Sequence, residues 1–232
     1  MVKVAGYTHI GKRSNNEDNY AIADNFAIVA DGMGGHSKGE VASSMAADCI
    51  IRYLNDLDSV SDDDILNSIK SANSLIYNKS LESGLLRNMG TTVVMCAWHD
   101  NDVIVANVGD SRCYLFADEV KQITTDHSYV QSLVDLGEIT KEEAEVREDK
   151  NIILRAVGCD ATVKADVFKI TAETGNTILL CSDGLSGVLS ADEMSSIINS
   201  DDSVEIISKK LVDSAYSNGG TDNITAVVIR FE

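Results

Sequence analysis

Apolar and polar positions divide the first 80 residues into three strands followed by two helices. Residues 1–8 and 19–30 are rich in strand-forming side chains, and the second run is interrupted by a turn at 23–25. From Lys38 to Leu57 apolar positions recur every three or four residues, which predicts an amphipathic helix. A second helix is expected after Ser61, which can cap its first turn. The predicted buried face of the first helix consists of Val41, Met45, Cys49, Ile50, Tyr53 and Leu54.

Strand patterns dominate the middle of the chain, and helices return toward its end. Four β-branched and aromatic runs between residues 91 and 124 predict an antiparallel meander. Residues 128–149 are polar and helical in pattern, with Thr140 and Glu143 in a capping box. Two further strands, a capping box at 190–193, a helix near 203–217 and a last strand from Ile224 complete the order. This mixed order predicts an α+β domain built in layers.

Composition and charge exclude several classes of protein. The 232 residues suffice for one domain, and the formal charge of -18 disfavours binding to nucleic acid or anionic membranes. Five dispersed cysteines without a C-x-x-C pair predict buried, reduced thiols rather than disulfides or a zinc site. The N-terminal residues lack the apolar core of a signal peptide, and no apolar run is long enough to span a membrane. We therefore expect a cytoplasmic protein without membrane insertion.

Four aspartates stand at the ends of predicted strands. Asp31, Asp110 and Asp183 follow apolar runs and adjoin glycines, while Asp222 directly precedes the last strand. Any one of them alone is explained by a turn. If the strand ends meet at one edge, however, the carboxylates repel one another unless a cation neutralises them. Oxygen ligands of this kind favour Mg²⁺ or Mn²⁺ over Zn²⁺, whether the ion serves catalysis or only stability.

A second polar cluster, residues 13–18, carries groups suited to phosphate and metal chemistry. Arg13 is a permanently charged planar fork that matches phosphate oxygens, and Glu17 and Asp18 could bind the waters of a metal ion. A polar loop between two strands explains the same residues equally well. The G-x-x-x-x-G-K match at 6–12 lacks the Ser or Thr that a P-loop needs, and no G-x-S-x-G or H-E-x-x-H motif occurs.

Nine short motifs, each weak alone, occur in one order along nearly the whole chain. They are RSNNED (13–18), VADGMGGH (29–36), GTT (90–92), NVGDSR (107–112), TTDHS (124–128), LVDLGEIT (133–140), NIILRAVG (151–158), CSDGL (181–185) and GGTDNIT (219–225). Together they resemble the metal-dependent protein phosphatases, the type 2C serine/threonine phosphatases, in their compact bacterial form. The resemblance implies one domain over 1–232, a four-layer α-β-β-α sandwich with a binuclear metal centre at one end, and a flap subdomain at about 128–150 suited to substrate choice.

The resemblance also implies the metal ligands. Asp31 would bridge two ions, and the Gly32 carbonyl would bind the second of them. Asp183 and Asp222 would complete the shell of the first ion. Asp110, together with Asp183, would form a weaker third site. The ions implied are Mn²⁺ or Mg²⁺.

Further residues receive catalytic and supporting roles by the same resemblance. Arg13 would bind the substrate phosphate, and Arg13, Asp31 and Asp18 are the implied catalytic residues. Glu17, Asp18 and Asn223 would stand behind the ions or hold their waters. His36 is a weak candidate for the general acid, because Met33 occupies the position where animal members carry a histidine. In the flap segment, Arg147 stands where a His-Pro pair is usual, and His127 is expected to order a loop through its neighbours rather than bind metal.

The implied function is hydrolysis of phosphoserine and phosphothreonine in proteins. A water or hydroxide that bridges the two ions would attack phosphorus directly, without a phosphoenzyme. The implied partners are phosphorylated proteins and a cognate membrane serine/threonine kinase. The alternative is a catalytically silent phosphatase-like module that binds cations for regulation or stability.

Overall fold

Two antiparallel sheets form the centre of the molecule. The structure is a computed structural model that describes residues 1–34, 38–55, 57, 59–82, 86 and 88–232. The strands are β1 (Val2–His9), β2 (Asp18–Ile22), β3 (Phe26–Met33), β4 (Gly90–Thr91), β5 (Val93–His99), β6 (Asp102–Val108), β7 (Arg112–Phe116), β8 (Val120–Gln122), β9 (Asp166–Thr171), β10 (Thr177–Cys181) and β11 (Ile224–Phe231). The first sheet has the order β1-β11-β10-β7-β8, and the second has β2-β3-β5-β6-β9 with β4 paired to β3.

Helices cover the outer face of each sheet. They are α1 (Lys38–Leu54), α2 (Asp62–Glu82), α3 (Tyr129–Asp135), α4 (Lys141–Glu145), α5 (Asp183–Ser186), α6 (Ala191–Ile198) and α7 (Val204–Ser217). α1 and α2 pack on the second sheet through residues such as Ile50 and Ile69, and α5–α7 pack on the first through residues such as Leu211. A third cluster, which includes Val29 and Leu180, fills the space between the sheets. The predicted four-layer α-β-β-α sandwich is therefore confirmed.

The boundaries of most predicted elements agree with the structure, but three expectations are wrong. α1 ends at Leu54 rather than Leu57. The side chain of Tyr53, which was expected on the buried face, is exposed, because that face is centred on Ala42 and Ala46. The predicted meander is split, since β5 and β6 belong to one sheet and β7 and β8 to the other. The short helix α5 was not predicted, because its four residues are too few to show a helical period.

Both predicted capping boxes are present. Thr140 and Glu143 exchange hydrogen bonds at the start of α4, and Ser190 does the same with Glu193 at the start of α6. α3 and α4 lie in the segment that connects β8 to β9, outside the two helical layers. We call residues 128–150 the α3–α4 segment. None of the described helices combines the length and apolar composition that a membrane-spanning helix needs.

The cysteines are unpaired, and their burial differs from one position to another. Cys96, Cys113 and Cys181 are buried in the sandwich, whereas Cys49 is half-buried. Cys159 is exposed, so the expectation of five buried thiols is wrong at this position. Cys159 lies in the loop between the α3–α4 segment and β9, where an apolar neighbourhood in sequence does not lead to burial.

A backbone contact between two glycines sets the start of α1 against the end of β3. A Cβ added at Gly39 would lie 2.6 Å from the Gly32 carbonyl carbon and oxygen, and one added at Gly32 would overlap the Gly39 backbone. Neither glycine has a positive φ, so the requirement is for close packing rather than for backbone freedom. Because Gly32 directly follows Asp31, this contact holds the strand end that carries a candidate site residue.

We predict that Gly39→Ala lowers the free energy of unfolding by about 1–3 kcal/mol, the usual cost of overpacking. The effect is opposite in sign to the gain of about 1 kcal/mol that alanine brings to an ordinary helix interior. Urea denaturation followed by circular dichroism measures it. Ser74→Ala on the exposed face of α2 is the control and should change stability by less than about 0.5 kcal/mol. A Gly39→Ala protein as stable as the wild type would contradict the packing interpretation.

Candidate functional site

Asp18 and Asp31 lie opposite each other on the adjacent strands β2 and β3. The backbone of Asp31 is held by Thr92: the Asp31 N–H donates to Thr92 Oγ1 at 3.0 Å, and the Thr92 N–H donates to the Asp31 carbonyl at 2.8 Å. Thr91 Oγ1 donates to the same carbonyl at 2.9 Å. Thr92 Oγ1 is also 2.7 Å from Ser111 Oγ. The GTT motif thus fixes the strand end at Asp31 without using any charged group.

Asp18 is buried and is held by two hydroxyl groups from the other sheet. Ser182 Oγ and Thr225 Oγ1 donate to its Oδ2 atom at 2.8 Å and 2.6 Å. The Thr225 N–H in turn donates to Ser182 Oγ at 3.0 Å. The second carboxylate oxygen of Asp18, Oδ1, is buried and has no hydrogen-bond partner. Because an unpaired buried oxygen is costly, this atom is suited to accept from a water or ligand in the cleft.

Asp110 and Asp183 approach the same region from the first sheet. Asp183 is the first residue of α5, and one residue, Ser182, separates it from the end of β10. Asp110 lies between β6 and β7, where the chain crosses from the second sheet to the first. The Asp110 Oδ1 atom is buried without a partner, like Oδ1 of Asp18. The structure therefore brings both predicted strand ends to one place.

Burial and mutual repulsion raise the pKa of four carboxyl groups. Burial, with contributions from the charge of Asp183, raises the pKa of Asp18 and of Asp110 to about 7 in each case. The pKa of Asp31 is raised well above its ordinary value by burial and by Asp18, Asp183, Asp110 and Asp222. For Asp183, burial and then Asp222 raise the pKa, while a side-chain hydrogen bond with Asp31 lowers it. The predicted carboxylates are thus within electrostatic reach of one another.

Carboxylates that shift one another's pKa can still lie too far apart to bind the same metal ion. Within the described part of the chain, no three His, Cys, Asp or Glu side chains are already arranged to hold a metal ion. Asp222 is engaged with Arg13, and Asp18 is engaged with two hydroxyls, so their side chains do not all point at one position. The donor set still fits a divalent cation, because it is all oxygen, carries excess negative charge and leaves two buried oxygens unsatisfied. To act as ligands, these oxygens would have to lie within roughly 2.0–2.6 Å of a divalent cation.

Arg13 and Asp222 form an exposed ion pair at the rim of this cluster. Arg13 Nη2 is 2.6 Å from Asp222 Oδ2, and the two side chains are 60% and 38% exposed. The next residue, Asn223, holds the loop that carries Arg13. Its Nδ2 donates to the Ile10 and Asn15 carbonyls at 2.9 Å, and its Oδ1 accepts the Glu17 N–H at 2.8 Å. Asn223 thus fixes the backbone of this loop, and its place behind the metal ions stays a prediction.

Of the remaining predicted site residues, the structure describes Glu17 and Gly32 but not His36. The Glu17 carbonyl accepts hydrogen bonds from the Gly32 N–H at 3.1 Å and from Ser43 Oγ at 2.6 Å, which places Glu17 beside the strand end of Asp31. Gly32 is needed for its contact with Gly39, and its carbonyl as a metal ligand stays a prediction. His36, the candidate general acid, lies outside the described residues.

A cleft of about 700 Å³ opens beside Asp110 and Asp183. One wall is the α3–α4 segment, and the other is formed by residues of α5, α6 and their connection. On its floor, Arg112 and Asp126 form a bidentate pair with Nη2 2.7 Å from Oδ2. Because Arg112 lowers the pKa of both Asp110 and Asp183, this pair partly opposes the repulsion in the cluster.

The sequence pointed to the charged residues and missed the hydroxyl groups that hold them. Ser182 and Thr225 hold the Asp18 carboxylate and Thr92 holds the backbone of Asp31, yet none of the three was singled out. Their one signal is position, since each lies within three residues of a motif glycine or aspartate on a buried strand end. Hydroxyl side chains are common in such places for many reasons, so position alone does not identify the role.

Two stacked antiparallel sheets with a carboxylate cluster and an arginine at one end define the architecture of a type 2C phosphatase. Residues 5–215 match the family model described as protein phosphatase 2C. The chain is 39% identical to the serine/threonine phosphatase stp of Listeria monocytogenes, an alignment that covers 94% of this chain and 90% of that protein.

Solved structures give the same result. The serine/threonine phosphatase PstP/Ppp of Mycobacterium tuberculosis superposes with a TM-score of 0.93 at 34% identity, covering 100% of this chain and 99% of that one. A structure of the PstP catalytic domain in complex with two manganese ions superposes with a TM-score of 0.91 at 33% identity, covering 99% and 97% of the two chains. The chain belongs to the protein phosphatase 2C family, and it is a protein-serine/threonine phosphatase.

We predict that the thermal stabilisation conferred by Mn²⁺ increases as pH rises through about 7. The raised pKa values mean that the folded protein retains protons on Asp18 and Asp110 between their ordinary pKa of 3.8 and about 7. Their contribution to stability is therefore complete below pH 3.8 and is lost as pH rises through 7. A cation must displace these protons, so its affinity grows over the same interval.

Differential scanning fluorimetry with Mn²⁺ and with EDTA, from pH 5.5 to 8.5, tests this prediction. Each tenfold gain in affinity adds about 1.4 kcal/mol of stabilisation at saturating metal. An equal Mn²⁺-induced shift in Tm at pH 5.5 and pH 8.5 would show that cation binding does not displace protons from these carboxyl groups.

Proposed function

We propose that this phosphatase hydrolyses phosphoserine and phosphothreonine with two divalent cations, Mn²⁺ or Mg²⁺, in the carboxylate cluster. The observation that carries the proposal is that the buried Asp18 and Asp110 and the half-buried Asp31 and Asp183 lie within electrostatic reach of one another. Such a cluster is stable in its charged form only beside cations. The two manganese ions in the related PstP structure support the number of ions.

The proposed ligands are those that the family resemblance implies, and the mutual electrostatic influence of the described carboxylates supports them. Asp31 would bridge the two ions, with the Gly32 carbonyl beside it. The charges of the other four aspartates of the cluster all raise the pKa of Asp31. Asp183 and Asp222 would complete the shell of the first ion. Asp110 and Asp183 would hold a third, weaker ion, which the unpartnered Oδ1 atom of Asp110 supports.

When bound, the ions neutralise the phosphate charge and lower the pKa of the water that attacks phosphorus, so no covalent phosphoenzyme is needed. Arg13 would exchange its exposed ion pair with Asp222 for the substrate phosphate. Such a pair contributes only about 0–1 kcal/mol, whereas a phosphate offers Arg13 a bidentate contact. Asp18, with Oδ2 held by two hydroxyls, has Oδ1 free to orient a water beside Glu17.

The alternative of a silent cation-binding module is not favoured. A site that served stability alone would have no use for an exposed arginine at its rim, whereas a phosphate site requires one. All proposed ligand positions carry oxygen donors, and the relatives are named as phosphatases.

The biological setting is proposed from the same relationships. The substrates are phosphorylated proteins, and a cognate membrane serine/threonine kinase would supply them. The charge of -18 disfavours nucleic acid as a partner, and we propose a cytoplasmic location. Residues 1–232 would form one phosphatase domain in which the α3–α4 segment is the flap, since this segment walls the cleft.

We predict that Asp183→Asn abolishes hydrolysis of a phosphothreonine peptide in the presence of Mn²⁺ while the fold is retained. The neutral amide removes one charge from the cluster and with it a cation ligand. Phosphate release measures activity, and circular dichroism checks the fold. Asp192→Asn, the same chemical change at an exposed position of α6, should leave turnover unchanged. Retained activity in Asp183→Asn would remove Asp183 from the metal site. Wild-type protein that is stabilised by Mn²⁺ without any turnover would favour the silent module.

We predict that Arg13→Ala mainly raises KM for phosphopeptides, by about tenfold to a hundredfold, because a charge-assisted hydrogen bond contributes roughly 1.5–3 kcal/mol. Steady-state kinetics separate KM from kcat. Arg13→Lys keeps the charge but loses the planar fork and should be intermediate. A normal KM with a greatly reduced kcat would instead assign Arg13 to the transition state alone.

A further inference from the structure

His127 holds both peptide groups of the turn that presents Asp110. Its Nδ1 accepts the Gly109 N–H at 3.1 Å, and its backbone N–H donates to the Gly109 carbonyl at 2.9 Å. Asn107 Nδ2 donates to the same carbonyl at 3.1 Å. Gly109 has a φ of 109°, which residues with a Cβ rarely adopt, and it directly precedes Asp110. A single histidine therefore fixes the turn from which Asp110 extends.

The other ring nitrogen of His127 is tied to a charged pair. Nε2 lies 3.1 Å from Asp166 Oδ2, and Arg155 Nη1 donates to Asp166 Oδ1 at 3.2 Å. The Gly109 N–H can only donate, so Nδ1 carries no proton and Nε2–H donates to Asp166. Arg155 can also only donate, so it shares the Asp166 carboxylate with the imidazole although its Nη1 is 3.1 Å from Nε2. The contacts thus select one tautomer and one ring orientation.

The backbone of His127 also makes the first of a series of contacts that join the two ends of the α3–α4 segment. The Leu154 N–H donates to the His127 carbonyl at 2.7 Å, and the Tyr129 N–H donates to the Ile152 carbonyl at 2.8 Å. Ser128 and Ile153 form an isolated bridge between these two contacts. His127, whose side chain is only 5% exposed, therefore joins the base of one cleft wall to the turn that carries Asp110.

We propose that His127 is a positioning residue that fixes Asp110 toward the cleft through the Gly109 turn, and that links this turn to the base of the α3–α4 segment. The sequence suggested a loop-ordering role through the neighbours Asp126 and Ser128. The structure gives different partners, which are distant in the chain: Gly109, Arg155 and Asp166. The proposal rests on the proposed function only in assigning a cation to Asp110.

Two conservative variants separate the two ring nitrogens. In His127→Asn the side-chain oxygen lies near the position of Nδ1 and can accept the Gly109 N–H, but the contact with Asp166 is lost. In His127→Gln the amide reaches toward Asp166, and the acceptor for Gly109 is lost. His99→Gln, at a surface position where the side chain is 80% exposed, controls for the loss of a histidine.

The first readout is hydrogen exchange of the Gly109 amide in EDTA-treated protein, which needs neither metal nor activity. His127→Gln should accelerate this exchange by about tenfold or more, whereas His127→Asn and His99→Gln should stay close to wild type. Wild-type exchange at Gly109 in His127→Gln would overturn the proposal. If His127→Gln does not fold, Asp166→Ala decides instead, because it removes the acceptor that keeps the proton on Nε2 and leaves Nδ1 free to accept the Gly109 N–H. Faster Gly109 exchange in Asp166→Ala supports the positioning role, and unchanged exchange overturns it.

The second readout is Mn²⁺ binding by calorimetry in a double-mutant cycle with Asp110→Asn. Outer contacts of metal ligands typically change affinity by about 10–100-fold, so His127→Gln should weaken the weakest Mn²⁺ site by about tenfold. In the Asp110→Asn background the same change should add less than about twofold. Equal losses in both backgrounds would show that His127 does not act through Asp110. If Asp110→Asn alone leaves Mn²⁺ binding unchanged, the cation assignment fails, and Gly109 exchange still decides the positioning role.

Discussion

Repulsion among buried carboxylates is the constraint on which this site depends. Asp18, Asp31, Asp110 and Asp183 all have a raised pKa, and burial is the first cause for each of them. Left to relax, such groups would rotate toward solvent. The sandwich prevents this because each carboxylate stands at the end of a strand or in a turn whose backbone is fixed by other contacts. The cost of that arrangement favours a divalent cation at this position, in line with the proposed function.

The anchors of these carboxylates are neutral, and this has a physical reason. Threonine and serine hydroxyls hold Asp18 and the Asp31 backbone, a histidine holds the turn before Asp110, and Asn223 holds the loop of Arg13. A lysine or arginine in these places would neutralise the cluster and compete with the cation. Arg112 is a charged residue near the cluster, and its guanidinium is shared with Asp126. Neutral donors keep the geometry while leaving the charge available.

Local sequence patterns predicted the strand ends and the capping boxes well, because these depend on neighbouring residues. The apolar run before Asp31 and the Ser190–Glu193 pair are examples. Patterns did not predict which sheet β7 joins, since its partner β10 lies more than 60 residues further along the chain. The same limit applies to the pair of Arg13 with Asp222. The order of the nine motifs indicated the family and, through it, the site residues, which hydrophobic periodicity alone could not indicate.

The difference in burial among the cysteines makes their thiols chemical probes of unfolding. Burial raises the pKa of the Cys96 and Cys113 thiols, so these groups have neither access to an alkylating reagent nor a useful thiolate fraction while the sheets remain packed. Cys159 is accessible without any such opening. Labelling at Cys159 therefore reports the native surface, whereas labelling at Cys96 and Cys113 reports separation of the two sheets. The ratio of the two rates distinguishes local fluctuation from global unfolding without an added dye or tag.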